Sequence, residues 1–449
     1  MITIKPENNK LRGANFVLLA AISTLFSFCS QPRVLKEVFK KQTPHEAYIS
    51  KLEKAGILKT EAGQKWVSVS QEVLQNAVAI KVPFKETGYF PAEKPTAVAY
   101  KFEAREGEKF NINLQYTNPP SFRLFGDVYQ VQPQTGPYHV ASLDTAAVRL
   151  EFEPAETGTY TLRLQPELLS SGNYTLSITK GGTMGFPVKG HTPKSIQSFF
   201  GDARDGGKRD HHGVDIFAKR GTPVVAAVDG VITDAGLNRL GGKVVWLWDM
   251  KKSRSLYYAH LDSQLVTAGT RVKTGDTLGL VGNTGNAKHT PPHLHFGIYS
   301  RGRGPKDPAP FLQQPDTILP KIKVAGSLLT NSVRLKKAPA RGKNKITANE
   351  NDFALGQVLG AQGNNYRILW PDGTQEYVAA NKLEPATKPA YQSHLIAEAN
   401  LTGRPGLQAP IIDTLQAKQQ VQVIGKFGQF WFVEAGEKSG WIPATALRL

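Results

Sequence analysis

The sequence predicts a multidomain, mainly β protein that begins with a short helical segment. A chain of 449 residues is longer than the roughly 250–300 residues that a single hydrophobic core usually serves. Strand-like segments separated by glycine-containing turns recur from residue 97 onward, and that pattern is typical of β domains. Helical signals are confined to the region before residue 86.

Residues 1–29 indicate a secretory signal. Basic residues precede an apolar run from Phe16 to Phe28, which is too short to span a bilayer comfortably. The segment Leu25 to Cys29 resembles a bacterial lipoprotein cleavage box, with Cys29 as the lipidated residue and Phe28 where a small residue is expected. The alternatives are ordinary signal cleavage nearby or an uncleaved anchor. We therefore expect export, with a lipid on Cys29 as a route to membrane attachment.

Residues 31–85 are predicted to be a helical segment. Thr43-Pro-His-Glu46 combines an N-cap, a proline at the first helical position and a capping-box glutamate. Gly56 is expected to end this helix. A second helix is predicted from about Ser70 to Ala77.

Residues 86–182 are predicted to form an antiparallel β-sandwich. Five segments alternate with period two: residues 97–102, 110–114, 148–152, 159–164 and 174–178. The region contains no catalytic constellation, so a spacer that positions another domain is expected, with carbohydrate binding as the alternative.

Residues 183–315 hold a concentration of histidines. In an extended strand, side chains two residues apart share a face, so His293 and His295 should stand side by side. His211, Asp215 and His260 lie in the same region. Imidazoles and one carboxylate without cysteine make a ligand set of the Zn²⁺ type, in which three protein ligands and an open position are the catalytic pattern.

Four motifs in this region resemble the lysostaphin/LytM-type zinc metallopeptidases, which cut peptidoglycan cross-links. They are His211-His-Gly-Val-Asp215, the segment Gly221 to Val231, Tyr258-Ala-His260-Leu and Pro292-His-Leu-His-Phe296. The resemblance covers about residues 185–315 and implies a mostly-β metallopeptidase domain.

By the same resemblance, His211, Asp215 and His295 are expected to bind zinc, and His260 and His293 to be catalytic. One departure is visible at Gly297, where this family usually has a glutamate. Residue 297 shares the strand face of His293 and His295, so the contact that a glutamate there would make with a metal ligand is in doubt.

Residues 326–386 and 391–449 look alike and resemble bacterial SH3-type repeats, which are small barrels. Each has an aromatic strand, a glycine-containing turn and a second aromatic-plus-aliphatic strand. The tryptophans Trp370, Trp431 and Trp441 would bind cell wall if exposed, and would belong to the core if buried; the sequence does not separate these alternatives.

The composition limits the partners and the site chemistry. A formal net charge of +18 and a pI near 9.7 favour anionic partners, but no nucleic-acid-binding motif accompanies them. A single cysteine excludes intramolecular disulfides and a cysteine-based zinc site.

Together with the resemblance, these observations lead us to expect an exported zinc-dependent endopeptidase of the cell envelope, in the periplasm or on the outer surface. Its substrate would be the peptide cross-links of peptidoglycan. The alternatives are a catalytically silent wall-binding activator of a partner hydrolase, and a wall-binding adhesin that leaves the five site residues unexplained.

Overall fold

The computed structural model describes residues 42–116, 122–132, 134–336 and 353–448. The predicted signal and the lipidation of Cys29 lie outside these residues. The described part is mostly β, with two α-helices, neither of which is long and apolar enough to cross a membrane.

Helix α1, Pro44–Lys54, belongs to a compact unit that ends at Ala55. The predicted capping box is confirmed: the backbone N–H of Glu46 donates to Thr43 Oγ1 (3.1 Å), and that of Thr43 donates to Glu46 Oε2 (2.8 Å). Gly56 follows the helix with a φ of +74°, the left-handed conformation that ends helices.

All other elements belong to the second unit, Gly56–Leu449. Its helix α2 spans Glu61–Gln75, so the prediction of a helix starting near Ser70 is wrong. Thr60 is the true N-cap, accepting from the N–H of Gly63 (3.2 Å). The helix packs on the following strands through Trp66, which is 1% exposed and whose Nε1 donates to the carbonyl of Pro166 (2.9 Å).

Nine strands follow and form what we call the N-terminal β region. They are β1 Val78–Ala79, β2 Phe84–Phe90, β3 Val98–Ala104, β4 Glu108–Tyr116, β5 Leu124–Gln132, β6 Gly136–Ser142, β7 Arg149–Phe152, β8 Gly158–Pro166 and β9 Gly172–Gly182. One sheet has the order β1-β3-β8-β5-β6, and part of another has the order β2-β9-β4-β7. Both contribute to one core that includes Phe102, Phe110 and Leu162. The pairing of β1 with β3 is parallel, so this region is not purely antiparallel as predicted.

Residues 196–306 carry twelve strands, and we call them the peptidase-like region. They are β10 Ile196–Ser198, β11 Ala203–Arg204, β12 Arg209–Asp210, β13 Val214–Phe217, β14 Pro223–Val225, β15 Gly230–Asn238, β16 Gly242–Asp249, β17 Arg254–Gln264, β18 Arg271–Val272, β19 Thr277–Val281, β20 His293–Ser300 and β21 Gly304–Lys306. The main sheet has the order β10-β13-β20-β17-β16-β15-β18. Leu294, Phe296 and Ile298 point from β20 into its core, each 0% exposed, which leaves the alternate residues on the opposite face.

The C-terminal part contains eleven strands among the described residues. They are β22 Ser332–Leu335, β23 Leu355–Gln362, β24 Asn365–Leu369, β25 Gln375–Ala379, β26 Leu383–Pro385, β27 Tyr391–His394, β28 Ala399–Thr402, β29 Ile411–Leu415, β30 Gln420–Phe427, β31 Phe430–Ala435 and β32 Lys438–Pro443. Strands β27–β32 form a sheet of their own. Trp370, Trp431 and Trp441 are only 5–8% exposed, so of the two alternatives the core position is the one observed.

Strands β23–β25 do not form a sheet by themselves. β23 pairs with β2, with Thr87 opposite Ala361 and Gly88 opposite Gly360, so the sheet of the N-terminal β region continues into the C-terminal part. A Cβ at Gly360 would stand 2.8 Å from Glu86 Cδ, and only glycine allows this approach. Residues far apart in sequence on either side of the peptidase-like region therefore share one sheet.

A buried ion pair accompanies this junction. Glu86 and Arg367 are 0% and 1% exposed, and Arg367 Nη2 lies 3.0 Å from Glu86 Oε1. The hydroxyls of Tyr100 and Tyr174 also donate to Glu86 Oε1 (2.6 and 2.9 Å), and that of Tyr377 donates to Oε2. The charge of Glu86 is thus compensated by donors from both sides of the junction, as a buried carboxylate requires.

The two segments that flank the peptidase-like region, residues 182–184 and 311–313, are bonded to each other. The N–H groups of Gly182 and Met184 donate to the carbonyls of Gln313 (2.7 Å) and Phe311 (3.0 Å). Lys306 and Glu106 form an ion pair beside them. These contacts hold the end of the peptidase-like region at Lys306 and both flanking segments next to the N-terminal β region.

Candidate metal centre and groove

Two neighbouring strands bring the predicted ligands together. β13 pairs antiparallel with β20, so that Asp215 lies opposite His295 and Phe217 opposite His293. His211 precedes β13 and is 2% exposed. The period-two alternation of β20, which buries Leu294 and Phe296, necessarily presents His293 and His295 on the other face.

Three side-chain atoms converge at this point. His211 Nε2 lies 3.0 Å from Asp215 Oδ1 and 2.9 Å from His295 Nδ1, and the last two atoms are 3.0 Å apart. His211 Nδ1 donates to the carbonyl of Phe199 (2.8 Å); because a carbonyl only accepts, the proton is on Nδ1 and Nε2 presents a lone pair. The three residues could hold a metal ion.

The spacing of these atoms fits zinc. Ligand atoms that lie about 2.0–2.1 Å from a tetrahedral zinc are about 3.3 Å from each other, so the observed triangle would need to open by only a few tenths of an ångström. A cation placed between the three atoms would receive a lone pair from each of them.

The charge states also fit a metal. Burial raises the pKa of Asp215, but the neighbouring His211 and His295 outweigh this effect and hold that pKa well below its usual range. Burial lowers the pKa of His295, although the carboxylate of Asp215 beside it acts in the opposite direction. At neutral pH the site therefore offers an ionised carboxylate and neutral imidazole, the protonation states that metal binding needs.

Arg204 is a functional residue that the sequence reasoning missed. Its Nη2 donates to Asp215 Oδ2 at 2.9 Å, so the two oxygens of this carboxylate are divided between the guanidinium and the histidines. Arg204 also contacts Ser198 Oγ, which lies 3.3 Å from His211 Nδ1. The only sequence signal was an arginine in the charged loop before His211, and loop charges are usually solvated.

His260 and His293 stand beside the three ligands with matching tautomers. The Nδ1–H of His260 donates to the carbonyl of Thr284 (2.9 Å), and that of His293 donates to the carbonyl of Pro291 (2.9 Å). Their rings are 5.0 Å apart. In the neutral form of each ring the lone pair is therefore on Nε2, and no described residue forms a hydrogen bond with either Nε2.

The conformation and the pKa of His260 are both perturbed. Its φ of +61° is uncommon for a residue other than glycine. Burial, followed by the charges that His293 and His295 would carry, lowers its pKa to about 4. A neutral imidazole with a free Nε2 can act as a general base.

The five residues line a groove of about 920 Å³. Its other walls include Arg204, Arg209, Arg239 and three aromatic residues, Trp246, Tyr257 and Tyr299. His212 is exposed and lines this groove, whereas His289 is exposed in its loop outside the groove.

Residues 209–308 match the family model described as Peptidase family M23. We call these residues the M23 domain. The M23 domain contains all five predicted site residues, and its boundaries enclose the strands that hold the three ligand atoms together.

Curated relatives share this domain. The chain is 38% identical over 143 residues to an L-Ala–D-Glu endopeptidase of Bacillus subtilis, covering 29% of this chain and 44% of the relative. It is 40% identical over 109 residues to the glycyl-glycine endopeptidase ALE-1 of Staphylococcus capitis (23% and 29%). It is 39% identical over 95 residues to the peptidoglycan DD-endopeptidase ShyC of Vibrio cholerae (20% and 21%). The chain thus spans less than half of the length of each of these relatives.

Proposed function

We propose that this chain is an exported zinc-dependent endopeptidase that hydrolyses peptide cross-links of bacterial peptidoglycan. The observation that carries the proposal is the meeting of three ligand atoms, 2.9–3.0 Å apart, with two further histidines in one groove of the M23 domain. The names of the relatives, which are endopeptidases of cell-wall peptides, support the substrate class.

His211, Asp215 and His295 would hold the zinc ion. When bound there, zinc supplies a Lewis acid for the scissile carbonyl and lowers the pKa of an attacking water toward about 7. The residues fit this task because they are buried, converge through lone pairs and include one anionic ligand. Arg204 fixes the remaining oxygen of Asp215 and so keeps the carboxylate in one orientation.

His260 and His293 would move the proton. The carbonyls of Thr284 and Pro291 fix each Nδ1–H, so Nε2 is the atom that accepts. One histidine would take a proton from the attacking water and return it to the leaving amine, while the other, in its protonated form, would donate from Nε2 to the charge that develops on the carbonyl oxygen. The low pKa of His260 keeps its imidazole neutral and available at neutral pH.

The regions outside the M23 domain are proposed to position it. The N-terminal β region, which we interpret as a β-sandwich, and the first SH3-like repeat share a sheet and a buried ion pair. The repeats bury Trp370, Trp431 and Trp441, which supports a spacer more than wall binding through these rings. Lipid attachment at Cys29 would hold the whole chain at the membrane.

Zinc content measured by elemental analysis, beside clearing of purified cell wall, tests the proposal. His295→Ala should lose both zinc and activity, because it removes one of three protein ligands. His293→Ala and His260→Ala should keep about one zinc per chain and lose about 10²–10⁴-fold in rate. His289→Ala, an exposed histidine outside the groove, is the matched control.

The same assay separates the main alternative. A silent activator of another hydrolase would bind wall, yet zinc-loaded wild type would clear purified wall no faster than His293→Ala. That outcome would refute the proposed activity.

A further inference from the structure

An aromatic surface adjoins the metal centre in the groove. Trp246 on β16, Tyr257 on β17 and Tyr299 on β20 share the face of the sheet that carries His295. The ring centroid of Tyr257 lies 4.4 Å from that of Trp246 and 6.3 Å from that of Tyr299, and those of Trp246 and Tyr299 are 5.3 Å apart. We call these three side chains the aromatic floor.

The aromatic floor is continuous with the reacting centre. The ring of Tyr257 is 5.9 Å from that of His295. All three aromatic side chains are half-buried and line the groove, rather than belonging to the core beneath the sheet. A substrate bound at the metal would therefore extend over them.

Gly297 makes room for the ring of Tyr299 in the floor. It lies opposite Tyr257 on the neighbouring strand, and a Cβ there would stand 2.9 Å from Tyr299 Cε2 and 3.0 Å from the carbonyl oxygen of His212. A side chain at this position would push the Tyr299 ring aside. The departure from the expected glutamate thus removes a charge from the floor and makes room for an aromatic ring.

The chemistry of the floor selects one part of peptidoglycan. Its stem and bridge peptides consist of small and charged amino acids, which have no flat apolar face. Its hexosamine rings have one, formed by axial C–H groups, with hydroxyl and N-acetyl groups at the edge. Aromatic rings offer a broad apolar face, and tyrosine adds a polar tip for hydrogen bonds; the Tyr257 hydroxyl already accepts from Asn238 Nδ2 (3.1 Å).

We infer that the aromatic floor binds a sugar ring of the glycan strand, so that the preferred substrates are stem peptides still attached to glycan. This inference rests on the proposed function. The ring centroid of Tyr257 lies 5.9 Å from that of His295 and 4.4 Å from that of Trp246. At about 3.3–3.6 Å per extended residue, the floor therefore lies within about two or three peptide residues of the metal centre.

The test compares two substrates prepared from one wall: glycan-linked muropeptides, and the same peptides released from their sugars. Zinc-loaded wild type should show a kcat/KM about tenfold higher for the glycan-linked form. Trp246→Ala should bring this ratio close to one, mainly by lowering kcat/KM for the glycan-linked form. Trp248→Ala is the control, because Trp248 follows on the same face of β16 and does not line the groove.

A second variant and a binding measurement keep the inference testable if Trp246→Ala folds poorly. Tyr299→Ala should also lower the ratio, and the peptide-free disaccharide should inhibit wild type competitively but not Tyr299→Ala. Equal kcat/KM for both substrates in wild type, or an equal loss on both in the two variants, would overturn the inference while leaving the proposed function intact. Absence of hydrolysis of either substrate at full zinc content would refute the proposed function, and the inference with it.

Discussion

Replacing Arg204 by glutamine should weaken zinc binding without removing a ligand. Arg204 Nη2 donates to Asp215 Oδ2, while Asp215 Oδ1 faces the two ligand histidines. Without the guanidinium, the carboxylate can rotate, and some of its orientations direct neither oxygen at the metal. Arg204 is thus a positioning residue.

The expected size of the effect follows from the contact. Arg204 and Asp215 side chains are only 26% and 13% exposed, so water screens the pair weakly. A hydrogen bond to a charged group in such a setting contributes about 1.5–3 kcal/mol. One tenfold change corresponds to about 1.4 kcal/mol, so zinc affinity should fall about 10–100-fold, the range usual for outer contacts of metal ligands.

Zinc affinity is measured by titration against a chelator of known affinity. In a second measurement, kcat is determined at saturating zinc. Arg204→Lys should fall between wild type and Arg204→Gln, since it keeps one donor and the charge. Arg239→Gln is the control, because Arg239 lines the same groove and bonds no ligand residue in the described part of the chain. An Arg204→Gln protein with unchanged zinc affinity would refute the reasoning.

Three further outcomes are expected. The pKa of His260 is about 4, so this histidine remains an unprotonated base well below pH 6.5. Over the pH range in which zinc stays bound, the acid limb of kcat/KM should therefore have an apparent pKa below 6. An apparent pKa near 6.5 would contradict the role of His260 as the base. Arg367→Met leaves the buried Glu86 carboxylate without its cation and should destabilise the fold by about 3–5 kcal/mol. The unfolding temperature should fall, and adding Glu86→Gln to the same chain should partly restore it. An unchanged unfolding temperature of Arg367→Met would contradict the structural role of the pair. Cys29→Ser should release the protein from membranes, and equal membrane association of variant and wild type would exclude the lipid anchor.

The sequence was informative where local periodicity decides the structure. The alternation around His293 and His295 determines which face each side chain takes, and the structure places both as expected. A capping box at Thr43 likewise predicted the start of α1 correctly. In both cases the physical cause acts within a few residues of the chain.

Features that depend on distant pairing could not be predicted. Nothing in the residues around β2 indicates that it pairs with β23, because the cause is the meeting of Glu86 and Arg367 across 281 positions. Helix α2 begins at the cap of Thr60, a local feature, but nothing near Trp66 indicates that this residue packs on the carbonyl of Pro166. The role of Arg204 likewise depends on how its loop folds back over Asp215, which composition does not show.

Mass spectrometry of muropeptides before and after incubation with the zinc-loaded protein tests the central claim most directly. The account predicts that cross-linked muropeptides gain one water and separate into smaller species with a new amine and a new carboxylate at one peptide bond, and that His295→Ala produces none of them. Unchanged muropeptides in the presence of a fully zinc-loaded wild-type chain, or cleavage in the sugar backbone instead of a peptide bond, would contradict it.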